Sequence, residues 1–145
     1  MIICAGRNET FPFAQVMGVG LIESAINLTR LCLFNKPEYL LFIGSAGSYG
    51  NHQIFDIVES KRASNIELGF LTSSAYTPLD NVLESDNKFA RNDTIVNSSN
   101  YISTNEKLTK EFLDYGVGIE NMEFFSVLSV AKEFEIPAFG IFIVT

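Results

Sequence analysis

Short apolar segments and one amphipathic pattern alternate along the first third of the chain. Residues 1–5, 14–20 and 38–44 are brief apolar runs, which are typical of buried strands. Between the second and third runs, residues 21–34 place apolar side chains at helical spacing, and Pro37 lies just beyond them. This strand–helix–strand order predicts a crossover connection and a parallel or mixed sheet.

The middle of the chain is more polar and predicts mainly connecting structure. Residues 60–100 carry several turn signals, so we expect loops with short strands there. Residues 94–103 predict a strand that leaves into a polar turn. Residues 104–116 predict a short helix that is capped by Thr104 and stopped by its final glycine.

The last part of the chain is again strongly apolar. Residues 120–135 predict a helix that is apolar nearly all round, and Pro137 separates it from an apolar strand over residues 138–144. No repeat, linker or low-complexity segment interrupts the sequence. The pattern therefore predicts one α/β domain over residues 1–145.

Composition and charge narrow the kinds of partner. The chain has 145 residues, 47% of them hydrophobic, which is enough for one domain with a buried core. Its net charge of −7 disfavours nucleic acid and anionic membranes as partners, because both attract basic patches. Cys4 and Cys32 lie in apolar surroundings and are expected to be core residues in a reducing compartment. Because the sequence shows neither a signal-peptide pattern nor an apolar run long enough to span a membrane, we expect a soluble, cytoplasmic protein.

Four polar clusters mark places where chemistry can occur. In open α/β sheets, ligands bind at the carboxyl ends of strands. Residues 6–9, 44–48 and 97–101 follow predicted strands, and residues 120–123 open the last predicted helix. Each cluster also has a simpler explanation. The glycines of residues 44–48 suit a tight strand-to-loop turn, and Glu9 suits a solvated loop.

Glu123 is the most informative of these polar residues. Its neighbours along the predicted helix are almost all apolar, so the helix is expected to be buried. A buried carboxylate is costly unless it meets strong hydrogen-bond donors. The donors are either free backbone N–H groups at the helix start or the hydroxyls of a ligand held in a pocket. We favour the second explanation, in which ligand hydroxyls are the donors.

Four blocks of the sequence resemble the nucleoside phosphorylase/nucleosidase superfamily, most closely its 5′-methylthioadenosine/S-adenosylhomocysteine and futalosine-type nucleosidases. Residues 16–31 are similar to the family's strand, Gly-x-Gly turn and alanine-rich helix, and residues 36–60 to its Gly-Ser-Ala-Gly block. Residues 95–102 stand where the family has a polar turn and an aromatic, and residues 119–145 match its Met-Glu helix and final strand. The resemblance implies a phosphorylase/hydrolase-like fold, a three-layer sandwich with a central mixed sheet.

The resemblance also implies an enzyme that cleaves the N-glycosidic bond of a purine nucleoside. Glu123 would bind the ribose 2′- and 3′-hydroxyls, with Met122 packing on the sugar. Tyr101 would stack on the purine, since an aromatic face is a good platform for a flat base. Carboxylates beside the ribose stabilise the positive charge that develops as the bond breaks.

The resemblance also assigns residues to the side of the site from which the nucleophile attacks the sugar. The resemblance makes Glu9 the carboxylate that activates the attacking water, and it makes Ser45, Ala46 and Gly47 the lining of the sugar and nucleophile side. No cofactor is implied. The single histidine, His52, has no partner at ligand spacing, so no metal site is predicted.

Water is favoured over phosphate as the second substrate. Phosphorylases of this superfamily typically carry an arginine two residues before the Gly-Ser pair, and here that residue is Phe42. Arg7 is the nearest cation, and with Ser45 it is the candidate phosphate site. One arginine holds a phosphate dianion only weakly. Phosphorolysis therefore stays the alternative to hydrolysis.

Two departures from the family pattern bear on activity. The segment between Glu9 and Gln15 is much shorter than in typical members. The family's general acid normally follows the last strand, and the sequence stops at Thr145, so we expect that acid and the helix behind it to be missing. An apolar face of the sheet would then be uncovered. The sequence is thus interpreted either as a fragment or as a weakened or inactive relative.

Two alternatives to an enzyme remain open. One is a protein that binds nucleosides without cleaving them, and the other is a structural remnant in which Glu123 is satisfied internally. Members of the superfamily often pair as homodimers, and apolar side chains of residues 65–79 are candidates for such an interface. The sequence does not choose the base or the 5′ substituent.

Overall fold

The computed structural model describes residues 1–145, apart from the side chain of Leu108. Over these residues nine strands form one sheet: β1 (Ile2–Cys4), β2 (Gln15–Val16), β3 (Leu40–Ser48), β4 (Ile57–Ser60), β5 (Arg62–Ser64), β6 (Val82–Glu84), β7 (Ile95–Ser98), β8 (Val117–Asn121) and β9 (Ala138–Val144). The helices are α1 (Gly20–Phe34), α2 (Leu68–Leu71), α3 (Glu106–Asp114) and α4 (Phe124–Glu133).

The sheet branches at β3. Residues 40–46 of this strand pair in parallel with β9, and residues 47–48 pair antiparallel with β8. β1 also pairs in parallel with β3 and carries β2 beside it, so α1 forms the predicted crossover between parallel strands. β4 is antiparallel to β9, and β8 leads through β7 and β5 to β6. This mixed sheet with flanking helices confirms the predicted α/β fold class.

Two hydrophobic clusters cover the sheet. The larger one includes residues of β1, β3, β9, α1 and α4, and the aromatic rings of Phe42, Phe124 and Phe142 pack together within it. The smaller one lies around the stacked rings of Tyr49 and Phe112. Ile95 and Val96 are adjacent in β7 but belong to different clusters. Because neighbouring strand residues point to opposite faces, the clusters cover opposite faces of the sheet there.

The predicted last helix was wrong at its beginning. Residues 117–121 form the buried strand β8 between β3 and β7, and α4 begins only at Phe124. Glu120 and Asn121 lie in this strand and are buried. Buried polar residues hide the apolar pattern by which a strand is recognised, so the segment had suggested a helix start instead.

Two smaller predictions were also wrong. The Gly-Ser-Ala-Gly residues do not form a strand-to-loop turn, because residues 44–48 continue β3 in register with β9 and then β8. α3 is capped by Asn105, whose side chain accepts a hydrogen bond from the backbone N–H of Lys107, and not by Thr104. Gly116 ends α3 with a positive φ of 77°, as predicted.

Some apolar surface is exposed. On one face of β9 the alternating residues Phe139, Ile141 and Ile143 are only partly buried or exposed, and the paired Ile57 of β4 is exposed. On α1, small residues such as Ser24 face the core while Ile22 is exposed. None of the described helices has the length and apolar character required to cross a membrane.

Candidate active site

One cavity of about 430 Å³ brings together nearly all the predicted site residues. It lies at the carboxyl ends of the parallel strands β1, β3 and β9, where α/β sheets bind their ligands. The predicted residues that line it are Arg7, Glu9, Ser45, Ala46, Gly47, Met122 and Glu123.

Glu9 is positioned by a tight turn after β1. Its backbone N–H donates to the carbonyl of Gly6 over 3.0 Å, and Arg7 within this turn has a positive φ of 55°. The Glu9 carboxylate accepts hydrogen bonds from the backbone N–H of Ser45, at 3.2 Å, and from the Ser45 hydroxyl. Two donors from β3 thus fix the orientation of this half-buried carboxylate.

Glu123 lies directly before α4 and is only 6% exposed. Its Oε1 accepts from the backbone N–H of Gly20 at 2.9 Å. Its Oε2 accepts from the Asn121 side-chain amide and from the backbone N–H of Met122, both at 3.2 Å. Backbone donors therefore satisfy part of this carboxylate, but they are not the N–H groups of α4 that the simpler explanation of Glu123 predicted, and the residue also lines the cavity.

Burial is the largest influence on the charge of Glu123. It raises the pKa of the carboxyl above its ordinary value, while the hydrogen bonds from Gly20 and Met122 lower it and the negative charge of Glu9 raises it again. The net direction is upward. The negative charge of Glu9 is thus close enough to act on Glu123.

The Gly-x-Gly segment explains how Glu123 reaches a donor far away in sequence. Gly18 and Gly20 have positive φ values of 101° and 83°, which glycine adopts readily. This backbone presents the N–H groups at the start of α1 to distant acceptors. Gly20 donates to Glu123, and Leu21 donates to the side chain of Asn100 at 2.9 Å. The sequence feature that points to this contact is the start of α1, because the first N–H groups of a helix have no partner within the helix and need an acceptor such as Glu123.

Tyr101 lies outside the cavity that holds Glu9 and Glu123. Its side chain is 83% exposed and lines a neighbouring cavity of about 300 Å³. The two cavities are adjacent, because Ile102 and Glu120 line both of them.

The sequence interpretation assigned no role to Glu120. This carboxylate of β8 is 6% exposed and accepts from the Tyr49 hydroxyl at 2.8 Å and from the backbone N–H and hydroxyl of Ser103 at 2.9 and 3.0 Å. Burial and the neighbouring Glu120 raise the pKa of the Tyr49 hydroxyl, so Tyr49 stays protonated and donates. The only sequence signal was its place in the cluster of residues 120–123.

Negative charge predominates around the cavity. Of the charged side chains that line it among the described residues, Glu9, Glu120 and Glu123 are acidic and Arg7 is basic. A site of this kind favours positive charge on a bound molecule. Within the described part of the chain, no group of three or more His, Cys, Asp or Glu residues is placed to hold a metal ion.

Comparisons with known proteins find solved structures with a similar fold but no match by sequence. No protein-family model matches the chain, and no curated protein matches it. A solved structure of a Helicobacter pylori 5′-methylthioadenosine nucleosidase variant, with 5′-methylthioadenosine in the active site, matches over 99% of this chain and 83% of its own, with a TM-score of 0.77 and 15% identity. The chain has the fold of these nucleosidases.

Two further solved structures share this nucleosidase fold. The Campylobacter jejuni 5′-methylthioadenosine/S-adenosylhomocysteine nucleosidase matches over 91% of this chain and 66% of its own, with a TM-score of 0.75 and 16% identity. The Helicobacter pylori futalosine hydrolase matches over 91% of this chain and 67% of its own, with a TM-score of 0.74 and 16% identity. Because one fold can carry different activities, the likeness by itself assigns no reaction to this chain.

Proposed function

We propose that this chain binds a purine nucleoside and cleaves its N-glycosidic bond by hydrolysis. The observation that carries the proposal is the presence of two separately anchored carboxylates, Glu9 and Glu123, in one cavity at the carboxyl ends of the parallel strands. Solved structures with the same fold include nucleosidases, among them one with 5′-methylthioadenosine bound. Sequence resemblance and fold thus suggest the same chemistry.

Glu123 is assigned to the ribose. A carboxylate oxygen accepts about two hydrogen bonds, and Oε1 of Glu123 accepts one, from Gly20. One acceptor position therefore remains for a ribose hydroxyl. Met122 lines the cavity beside it and would pack on the sugar. The raised pKa of Glu123 means that burial makes its charge costly, so a ligand hydroxyl that donates to Oε1 is a favourable addition.

Glu9 is assigned to the attacking water. Both donors of Ser45 bind its Oε1. Oε2 stays available to accept a proton from water as the water attacks the anomeric carbon. Ala46 and Gly47 continue the cavity wall beyond Ser45. Positive charge that develops on the ribose would lie between two carboxylates, which stabilises the transition state more than the ground state.

The base is assigned to the side of Tyr101. Its exposed ring borders the neighbouring cavity, which shares the lining residues Ile102 and Glu120 with the first cavity. A nucleoside with its ribose at Glu123 would extend its base towards that ring. Stacking on an aromatic face would hold a flat purine there.

Water suits this site better than phosphate. The acidic side chains around the cavity oppose a phosphate dianion, and Arg7 is the one cationic side chain among its described lining residues. Phe42, at the position where phosphorylases carry an arginine, is buried in the aromatic core. Phosphorolysis, with Arg7 and Ser45 at the phosphate, is the alternative within the same site.

Product analysis tests the proposal. Adenosine, inosine and 5′-methylthioadenosine are incubated with the chain, first without phosphate and then with it, and the base and sugar products are separated by chromatography. Hydrolysis gives free base and free sugar without phosphate. Formation of ribose 1-phosphate only when phosphate is present would replace hydrolysis by phosphorolysis. Binding without base release over long incubation would make the chain a nucleoside-binding protein.

A matched pair of variants assigns the base release to this cavity. Glu9→Gln removes the proton acceptor, so we expect base release to slow by about 10²–10⁴-fold while nucleoside affinity changes little. Glu38→Gln removes one negative charge at an exposed position and should leave the rate unchanged. Equal rates for Glu9→Gln and the unaltered chain would remove Glu9 from the mechanism.

The proposed homodimer has a candidate surface. Residues 65–79 expose Leu68, Tyr76 and Leu79, in keeping with the interface that the sequence suggested. Apolar side chains that cluster on a surface favour association. Sedimentation of the chain over a range of concentrations measures whether it pairs.

A further inference from the structure

Glu120 is a buried charge that the proposed reaction does not use. It occupies β8 between β3 and β7, opposite Gly47 on one side and Asn97 on the other. Three donors from Tyr49 and Ser103 offset the cost of its burial. A core position of this kind is usually apolar, so a carboxylate there needs a reason of its own.

The hydrogen bonds of Glu120 leave one acceptor position open. Oε2 accepts twice, from the Tyr49 hydroxyl and the Ser103 hydroxyl. Oε1 accepts once, from the backbone N–H of Ser103. Each carboxylate oxygen has room for about two donors, so Oε1 has one position unfilled. Oε1 lies 3.7 Å from where a Cβ on Gly47 would stand, which places it beside a residue that lines the proposed reaction cavity.

The position of Glu120 between the two cavities indicates what would fill that acceptor. Glu123 and Met122 line the first cavity, Tyr101 lines the second, and the carboxylate of Glu120 borders both. A nucleoside that places its sugar at Glu123 and its base against Tyr101 therefore passes Glu120. Because Glu120 also lines the cavity of Tyr101, an edge of the base held there would face its carboxylate.

Resting on the proposed function, we propose that Glu120 determines base specificity by accepting a hydrogen bond from an N–H group on the ring edge of the purine. The preferred nucleosides then carry such a donor, either the N1–H of a 6-oxopurine or the amino group of a 6-aminopurine. A base without a donor would leave a desolvated carboxylate oxygen unpaired, which is a strong ground for rejection. Tyr49 and Ser103 hold the carboxylate in the orientation that makes this contact selective.

The test compares nucleosides that differ in this donor. Dissociation constants and rates of base release are measured for inosine, for adenosine and for purine riboside, whose base has no N–H group. A hydrogen bond to a charged group predicts that the unaltered chain prefers inosine or adenosine over purine riboside by about tenfold or more. Glu120→Gln keeps the shape and one acceptor oxygen but loses the charge, so its preference should fall by about fivefold or more.

Two further variants separate specificity from stability. Glu38→Gln removes one charge from an exposed residue that lines neither cavity, and it should keep the full preference. Ser103→Ala removes one of the donors that orient Glu120, and it should reduce the preference partially. The preference of Ser103→Ala then tests the inference independently if Glu120→Gln does not fold.

The outcomes distinguish this inference from the proposed function. If the unaltered chain binds or cleaves nucleosides but does not discriminate against purine riboside, the inference is wrong and the proposed function stands. The same holds if Glu120→Gln folds and retains the full preference. If the unaltered chain neither binds nor cleaves any of the three nucleosides, the proposed function fails and this inference fails with it.

Discussion

Glu123 accepts a hydrogen bond from the backbone N–H of Gly20 over 2.9 Å, although the two residues are 103 positions apart in sequence. The bond joins the beginning of α1 to the beginning of α4, and the two helices pack against each other. The same carboxylate lines the candidate active site. One side chain therefore serves both the structure and the proposed binding of ribose.

This double role predicts different stabilities for two substitutions. Glu123→Ala leaves the buried N–H groups of Gly20 and Met122 without their acceptor, so we expect the free energy of unfolding to fall by about 1–3 kcal/mol. Glu123→Gln retains one acceptor oxygen and removes the cost of a buried charge, while its NH2 group replaces the other acceptor, so its loss should be smaller than that of Glu123→Ala. Urea denaturation measures both. Glu133→Gln, exposed on α4, is the control, and equal losses for Ala and Gln at position 123 would contradict the role of the acceptor.

The raised pKa of Glu123 predicts how stability depends on pH. The folded chain holds the proton of this carboxyl at a pH where the unfolded chain has lost it. The free energy of unfolding contributed by this group therefore decreases as the pH rises from about 4.5, the ordinary pKa, through the raised folded pKa. If Glu123 binds ribose as proposed, nucleoside affinity should change in the opposite direction, because an ionised carboxylate is a stronger acceptor of hydroxyl hydrogen bonds.

Comparing Glu123→Gln with the unaltered chain isolates that contribution. Denaturation curves are recorded at several pH values above 4.5, and the difference in unfolding free energy between the two proteins is plotted against pH. The amide does not titrate, so the unaltered chain should lose stability relative to the variant as the pH rises. A constant difference would mean that the pKa of Glu123 is the same in the folded and unfolded chains.

The sequence predicted the parts of this fold that are marked by local patterns. The apolar runs of β1, β3 and β9 and the helical spacing of α1 are local, and each was recognisable in the sequence. β8 was missed because the polar residues Glu120 and Asn121 form its end. The burial of Glu120 is compensated by Tyr49, 71 residues earlier, and no local pattern reveals that partner.

The candidate site was partly predictable for the same reason. Glu9 follows β1 and Ser45 lies towards the carboxyl end of β3. The carboxyl ends of parallel strands meet at one edge of a sheet, so their convergence followed from topology. The placement of Tyr101 in a neighbouring cavity depends on the path of the loop after β7, which its sequence does not determine. The roles of these residues stay predictions.

Gly44 predicts a steric test of Glu9. A Cβ added at Gly44 would lie 2.9 Å from Oε2 of Glu9 and 3.0 Å from the ring of the buried Phe42. Gly44→Ala should therefore displace the Glu9 carboxylate and lower the rate of base release by about tenfold or more, because catalysis depends on the position of the proton acceptor. Initial rates measure the change.

Gly47→Ala is the matched control on the same strand. A Cβ there would be 3.5 Å from Cγ of Glu120, which is an ordinary contact. Its rate should fall less than that of Gly44→Ala. Equal rates for Gly44→Ala and the unaltered chain, with the fold intact, would show that the position of Glu9 does not limit the reaction.

Removing the ring of Tyr101 should weaken nucleoside binding without lowering the stability of the fold. The ring is 83% exposed, so Tyr101→Ala should change the free energy of unfolding by no more than about 0.5 kcal/mol. If the ring stacks on the base, removing it should weaken nucleoside binding by about 1–3 kcal/mol. Tyr101→Phe keeps the aromatic face and should bind as the unaltered chain does. Tyr76→Ala is the control, because that ring is 89% exposed and lines a different cavity. Calorimetry with inosine measures the affinities, and equal affinities for Tyr101→Ala and Tyr76→Ala would place the base away from Tyr101.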